Sequence, residues 1–323
     1  MSFRDIAFQD KAIEFLKRSQ EAGKLSHSLL FFGPEAVGKR EVAITLAKAL
    51  NCNEGKEADS CDSCPSCKKI DGLSHPDVHW IGPEGAGNVI KIASIRAMQK
   101  KINLKPFEGQ VKFFIIDRAH LLAEEAANSL LKTLEEPPKE TVIILITNDL
   151  EKIFPTIRSR CQWVLFSQAS PGELKEILKK KYTLSEVDAH FLSHLSEGRI
   201  GKAIAIKEEG GLKWKNAIID GFTMENIIAN EDALYFGNKR EKVLDIMDVM
   251  ISWYRDMLIL ANGADAALVI NADRIDDLTK KANALSEYKI RELLAETLKM
   301  RAYIEQNVNP KLALSNLAFM TEQ

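Results

Sequence analysis

The chain carries no surplus of charge. Its 323 residues hold 44 Lys and Arg against 46 Asp and Glu, a formal net charge of −2. No global basic field advertises nucleic acid, so any DNA contact must come from a local patch or from a partner. No run of about 18 apolar residues occurs, which excludes a membrane-spanning helix. The opening residues Met1-Ser2-Phe3-Arg4-Asp5 lack the charged-then-apolar layout of a signal peptide. The expected compartment is the cytoplasm, where thiols stay reduced. No internal repeat is evident. What is left, 46% hydrophobic and 28% charged, is an ordinary globular composition with room for two or three domains.

Against that plain background one segment stands out. Residues 33–40 read Gly-Pro-Glu-Ala-Val-Gly-Lys-Arg. The phosphate-loop pattern G-x-x-x-x-G-K-[ST] is met at Gly33, Gly38 and Lys39 and broken at Arg40. Backbone N–H groups of such a loop, Pro34 excepted, can cradle phosphates, and Lys39 can reach their oxygens. The last position normally offers a hydroxyl to Mg²⁺. A guanidinium cannot ligate a cation and repels one. The pattern describes a site able to hold ATP or ADP but handicapped in cleaving it. Arg40 either stands in for the metal's charge beside the phosphates or obstructs the pocket with its bulk.

The first half alternates apolar runs with helical stretches. Strands are expected at 28–32, 77–81, 111–116 and 142–147, and helices at 41–50, 91–102 and 124–134. Near-continuous apolar strands separated by helices imply a parallel sheet covered on both faces, an α/β fold. Ligands in such sheets sit at the carboxyl ends of the strands, where Gly33, Asp117 and Asn148 fall. After Phe166 the strand pattern stops. Ser170-Pro171-Gly172-Glu173 is a helix start with a capping serine, an N1 proline and a glutamate at the third position. Residues 167–208 fit a small helical domain, Gly210-Gly211 a linker, and 212 onward further helices. The charged stretch 238–242 reads as solvated helix surface or loop.

Three further elements carry chemistry. The strand Phe113-Phe114-Ile115-Ile116 ends in Asp117, the usual source of an acidic group near Mg²⁺, and is followed by Arg118. Cys52, Cys61, Cys64 and Cys67 have the spacing C-x8-C-x2-C-x2-C. Four thiolates suit tetrahedral Zn²⁺ with no open position, which makes the site structural. Thr156-Ile157-Arg158-Ser159-Arg160-Cys161 follows the 142–147 strand. Taken alone it fits a surface arginine paired with a carboxylate.

The order of these motifs, together with His75-Pro76-Asp77-Val78 and Leu130-Leu131-Lys132-Thr133-Leu134-Glu135-Glu136-Pro137-Pro138, resembles the bacterial clamp-loader subunits of the AAA+ superfamily. Residues 309–317 resemble the last helix of that family's collar. The resemblance implies an AAA+ nucleotide-binding-like domain at 1–166 with a zinc module at 52–67, a helical lid at 167–208 and a helical collar at 209–323. Hydrolysing members keep Ser or Thr after the loop lysine and Glu after the strand aspartate. This chain has Arg40 and Arg118, as the delta-prime type of DNA polymerase III does in lacking a working site. In the lid, Gly201 stands where those members place a phosphate-sensing arginine, and Lys202 is displaced by one residue.

The resemblance further implies that Arg160 acts in trans on a neighbour's γ-phosphate. It implies gamma/tau motor subunits and a delta subunit as partners, with the sliding clamp and primer–template DNA reached in the assembled complex. The chain would serve DNA replication as a non-hydrolysing stator. The alternative is an ATP-hydrolysing motor subunit or another AAA+ ATPase, against which Arg40 and Arg118 speak. A direct DNA-binding module is disfavoured by the balanced charge.

Overall fold

The apolar runs of the N-terminal half become five parallel strands: β1 (Ser28–Phe32), β2 (Val78–Ile81), β3 (Lys112–Ile116), β4 (Thr141–Thr147) and β5 (Gln162–Leu165). Their order in the sheet is β2-β3-β4-β1-β5. Leu30 lies opposite Leu145, Ile115 opposite Ile144 and Phe31 opposite Val164. A computed structural model describes residues 1–55, 57–85, 88–222, 240–306 and 308–321. The chain divides into two compact units, Met1–Ala169 and Ser170–Gln323.

Successive strand residues point to opposite faces, so each face builds its own core. On one face Leu29, Phe31, Phe113, Ile115, Ile144 and Ile146 pack with Leu16 and Leu46. These two come from α1 (Asp10–Glu21) and α2 (Lys39–Asn51). On the other, Leu30, Phe114, Ile116, Ile143 and Leu145 pack with Ile95, Leu130, Leu134 and Ile157. Those side chains come from α4 (Ile92–Ile102), α5 (Glu124–Glu135) and α6 (Pro155–Arg158), while α3 (Pro65–Asp71) adds Ile70 to the first face. Strands β3 and β4 are buried at every residue. The expected strands and helices form within one or two residues of their expected bounds. β5 is not among the expected strands: it is a four-residue run on the sheet edge whose apolar Trp163 and Leu165 are exposed, and only Val164 among them is buried.

Polar side chains fix the connection into β3. The buried Asp77 carboxylate accepts hydrogen bonds from the N–H groups of Phe107 (2.7 Å), Glu108 (2.9 Å) and Gly109 (2.8 Å). Asn51 at the end of α2 accepts from Gln110 N and Val111 N and donates to Val111 O. A five-residue stretch, 107–111, is thereby held by two side chains that precede it in the chain.

The second unit holds helices and no strand among its described residues. It begins with α7 (Pro171–Tyr182), closed by the expected Ser170–Glu173 capping box. Then come α8 (Glu186–Leu195), α9 (Ile200–Glu208) and α10 (Leu212–Gly221). Gly210 and Gly211 make the α9–α10 turn at φ of 118° and 57°, values a side chain would strain. The rest is α11 (Arg240–Ala261), α12 (Ile275–Ala284), α13 (Glu287–Glu305) and α14 (Pro310–Thr321). Residues 238 and 239 of the charged stretch lie outside the described residues, and 240–242 open α11. Lys202 pairs with Asp248 (2.5 Å) and Asp245 (3.3 Å), and Arg301 with Asp248 (2.6 Å). No helix among the described residues is long and apolar enough to cross a membrane.

Candidate functional site

The loop after β1 brings the phosphate-site residues to the carboxyl edge of the three central strands. Gly33 follows β1, Asp117 follows β3 and Asn148 follows β4, and these strands are neighbours in the sheet. Gly33 has φ 142°, and a Cβ built there would lie 2.0 Å from the carbonyl oxygen of Phe166. Glycine is thus required by the close approach of the chain leaving β5. Gly38 caps α2 at φ 105°. Gly38, Lys39, Arg40, Asp117 and Asn148 line one cavity of about 130 Å³, together with Glu35, Arg118, His120 and Thr147. That is below the roughly 300–1,000 Å³ of pockets that enclose a drug-sized ligand. Gly33 and Pro34 contribute their carbonyl groups to the loop and do not line the cavity.

The cations of this site are already engaged. Lys39 Nζ donates to the carbonyls of Gly33 (2.7 Å) and Pro34. Burial brings its pKa down to about 8, against the opposing pull of Glu35, Asp117 and Glu41. Arg40 Nε lies 3.7 Å from Asp117 Oδ2, and its guanidinium lies over the Trp80 ring at 4.5 Å. Arg118, at φ 51°, reaches Glu35 at 3.9 Å. His120 Nδ1 meets the Thr147 hydroxyl at 3.2 Å, and burial lowers its pKa. The carboxylate that would face a divalent ion therefore faces a guanidinium instead. The donor set suits an anion and does not suit Mg²⁺. Trp80 and His120 carry no sequence signal for this role, because each sits in an ordinary strand or turn far from residues 33–40.

The four cysteines do come together. Their Sγ atoms lie within 4.8 Å of one another. Tetrahedral Zn²⁺ with bonds of about 2.3 Å would set them at roughly 3.8 Å, a small contraction. Cys52 closes α2, and Cys64 caps α3 ahead of Pro65. Cys61 N donates to Cys52 Sγ (3.4 Å) and Cys64 N to Cys61 Sγ (3.3 Å), a pattern that favours thiolates. Hydrogen bonds from the Ser63 side chain and from the N–H groups of Cys64 and Ser63 bring the Cys61 thiol down to about 6, while burial pushes Cys67 up. A cation among them would reverse the cost of burying these sulfurs. The residues fit a structural metal ion. The cluster is anchored through Asp59, which accepts from Phe3 N (2.9 Å), and through buried Lys48, which reaches Asp71 and Asp62.

Arg160 lies apart from both sites. Its Nε donates to Glu135 Oε1 at 2.6 Å, and its Nη1 donates to the Thr156 carbonyl at 2.9 Å and the Ser159 hydroxyl at 3.3 Å. The pairing with a carboxylate that the segment 156–161 alone suggests is present, and it uses Glu135 from the Leu130–Pro138 motif.

This chain matches the family described as DNA polymerase III, delta subunit, over residues 8–170, and its C-terminal counterpart over residues 232–323. The DNA polymerase III delta′ subunit of Bacillus subtilis is 28% identical over 98% of this chain and 96% of its own length. That of Escherichia coli is 27% identical over 96% and 92%. The tau subunit of B. subtilis is 30% identical over 90% of this chain but only 57% of its own. The family match spans the whole sheet, its broken phosphate loop and the cysteine cluster, and the chain belongs to the DNA polymerase III delta-subunit family.

Proposed function

We propose that the chain is the delta′-type stator of a bacterial clamp loader, supporting ATP-dependent loading of the sliding clamp onto primed DNA without hydrolysing ATP itself. The observation that carries this reading is Arg40 lying against Asp117. The position that should present a metal-binding hydroxyl instead neutralises the metal-binding carboxylate. Arg118 follows Asp117 where hydrolysing members keep a glutamate, and Lys202 is tied to Asp248 and Asp245 within its own unit. ADP or ATP, if held, would sit on the α2 N-terminus and Lys39 without a metal.

In this reading residues 1–166 are a rigid AAA+ wall, 167–208 a lid and 209–323 a collar. Cys52, Cys61, Cys64 and Cys67 hold Zn²⁺, which supplies a rigid cross-link and no reactivity. Arg160 is offered to the γ-phosphate of an adjoining gamma/tau subunit, with a delta subunit elsewhere in the cytoplasmic ring. An arginine supplied in trans is worth roughly 10³–10⁵ in rate in GTPase systems. The purified chain incubated with Mg²⁺ and ATP should release no phosphate above background. Turnover that disappears in Lys39→Ala would instead establish an ATP-hydrolysing motor.

A further inference from the structure

We propose that Glu135 is a positioning residue for Arg160, holding its guanidinium ready for the triphosphate of a neighbouring subunit. The proposal rests on the stator reading of Arg160 and goes beyond it by naming what aims the arginine.

Glu135 is the last residue of α5, directly after Leu134, which is buried in the core along with Leu130. A carboxylate at a helix C-terminus opposes the helix dipole, so Glu135 gains nothing there from its own helix. It gains a partner. Arg160 follows α6, whose Ile157 is fully buried in the same core. The arginine is thus gripped between the ends of two helices that are each anchored by apolar side chains. Nε is bound to Glu135, and Nη1 to the Thr156 carbonyl and the Ser159 hydroxyl. Nη2 carries two N–H donors and lies against the same Glu135 oxygen, which can accept only one of them. Among the described residues the other has no acceptor, and the Arg160 side chain keeps 32% of its surface exposed.

An unheld arginine would sample many rotamers, and each encounter with a phosphate would have to select one. Holding reacting groups in place is a rate effect, and a misplacement of about 1 Å can cost roughly 10²-fold. The grip on three nitrogens is what a positioned arginine requires. A carboxylate acting only to neutralise Arg160 would have the opposite consequence, since its removal would free charge for the neighbour.

The test uses the assembled clamp loader with turnover confined to the ATP site next to this chain. Glu135→Ala should lower kcat there by roughly 10- to 100-fold with KM little changed. The same substitution in an Arg160→Ala background should cause no further loss. A rise in kcat, an unchanged kcat, or an added loss in the Arg160→Ala background would each overturn the proposal. Arg160→Ala alone separates the two levels. If it leaves turnover intact, the stator reading fails. If it abolishes turnover while Glu135→Ala does not reduce it, only the positioning role fails.

Discussion

A serine or threonine at position 40 would present a hydroxyl to Mg²⁺, and Asp117 would stand by as its acidic companion. The guanidinium found there lies 3.7 Å from that carboxylate and stacks on Trp80. One arginine thus offers no hydroxyl and takes up the neighbouring carboxylate. Gly33 teaches a complementary lesson, because its lack of a side chain is demanded by Phe166 whether or not a phosphate binds. Half of a phosphate-loop signature can persist for reasons of packing alone. We expect calorimetry with ADP to give an affinity indifferent to Mg²⁺ in the natural chain. Arg40→Thr should restore a hydroxyl, release Asp117 and make Mg²⁺ tighten binding by about tenfold, or about 1.4 kcal/mol. An affinity of the natural chain that requires Mg²⁺ would count against a substitute-cation role for Arg40.

Elements are held here by a few buried polar groups as much as by the apolar faces. Burial alone would raise the Asp77 pKa, but the N–H groups of Gly109, Phe107 and Glu108 hold it below its ordinary 3.8. A carboxylate with a depressed folded value contributes stability that is full above the unfolded value and is lost as pH falls through the folded one. Hydrogen exchange should therefore show amides 107–109 losing protection below about pH 4, in line with the ordinary carboxylate range. Asp77→Asn should abolish that step and cost about 2–3 kcal/mol at neutral pH, because three hydrogen bonds lose their charged acceptor. The cysteine cluster makes a separate prediction. Elemental analysis should find one zinc per chain, and Cys64→Ser should lower zinc content and speed exchange across residues 52–71. Strands β1, β3 and β4 were legible because buried parallel strands are continuous apolar runs. The Ser170 cap and the cysteine spacing were legible because each is a local pattern. β5 was not, since four residues are too few to show a period, even though Trp163, Val164 and Leu165 are apolar. The partners Arg40–Trp80 and Arg160–Glu135 were not either, because nothing local in the chain says which distant side chain the fold will bring near.

At the scale of the whole molecule the chain keeps a parallel five-stranded sheet, ties up the cations and the carboxylate at its carboxyl edge, and holds a half-buried arginine between two helix ends. Its family, and delta′ relatives matched over nearly their whole length, make it a DNA polymerase III subunit. The balanced net charge offers no global basic field for DNA. The central claim is that this chain contributes to ATP turnover through Arg160 alone and in trans. It is tested most directly by reconstituting the clamp loader with Arg160→Ala and measuring ATP turnover at the adjoining site alongside the mass of the complex. The account predicts an intact assembly whose adjoining site has lost roughly 10³-fold or more in rate. An intact assembly that turns over ATP at the natural rate would contradict it.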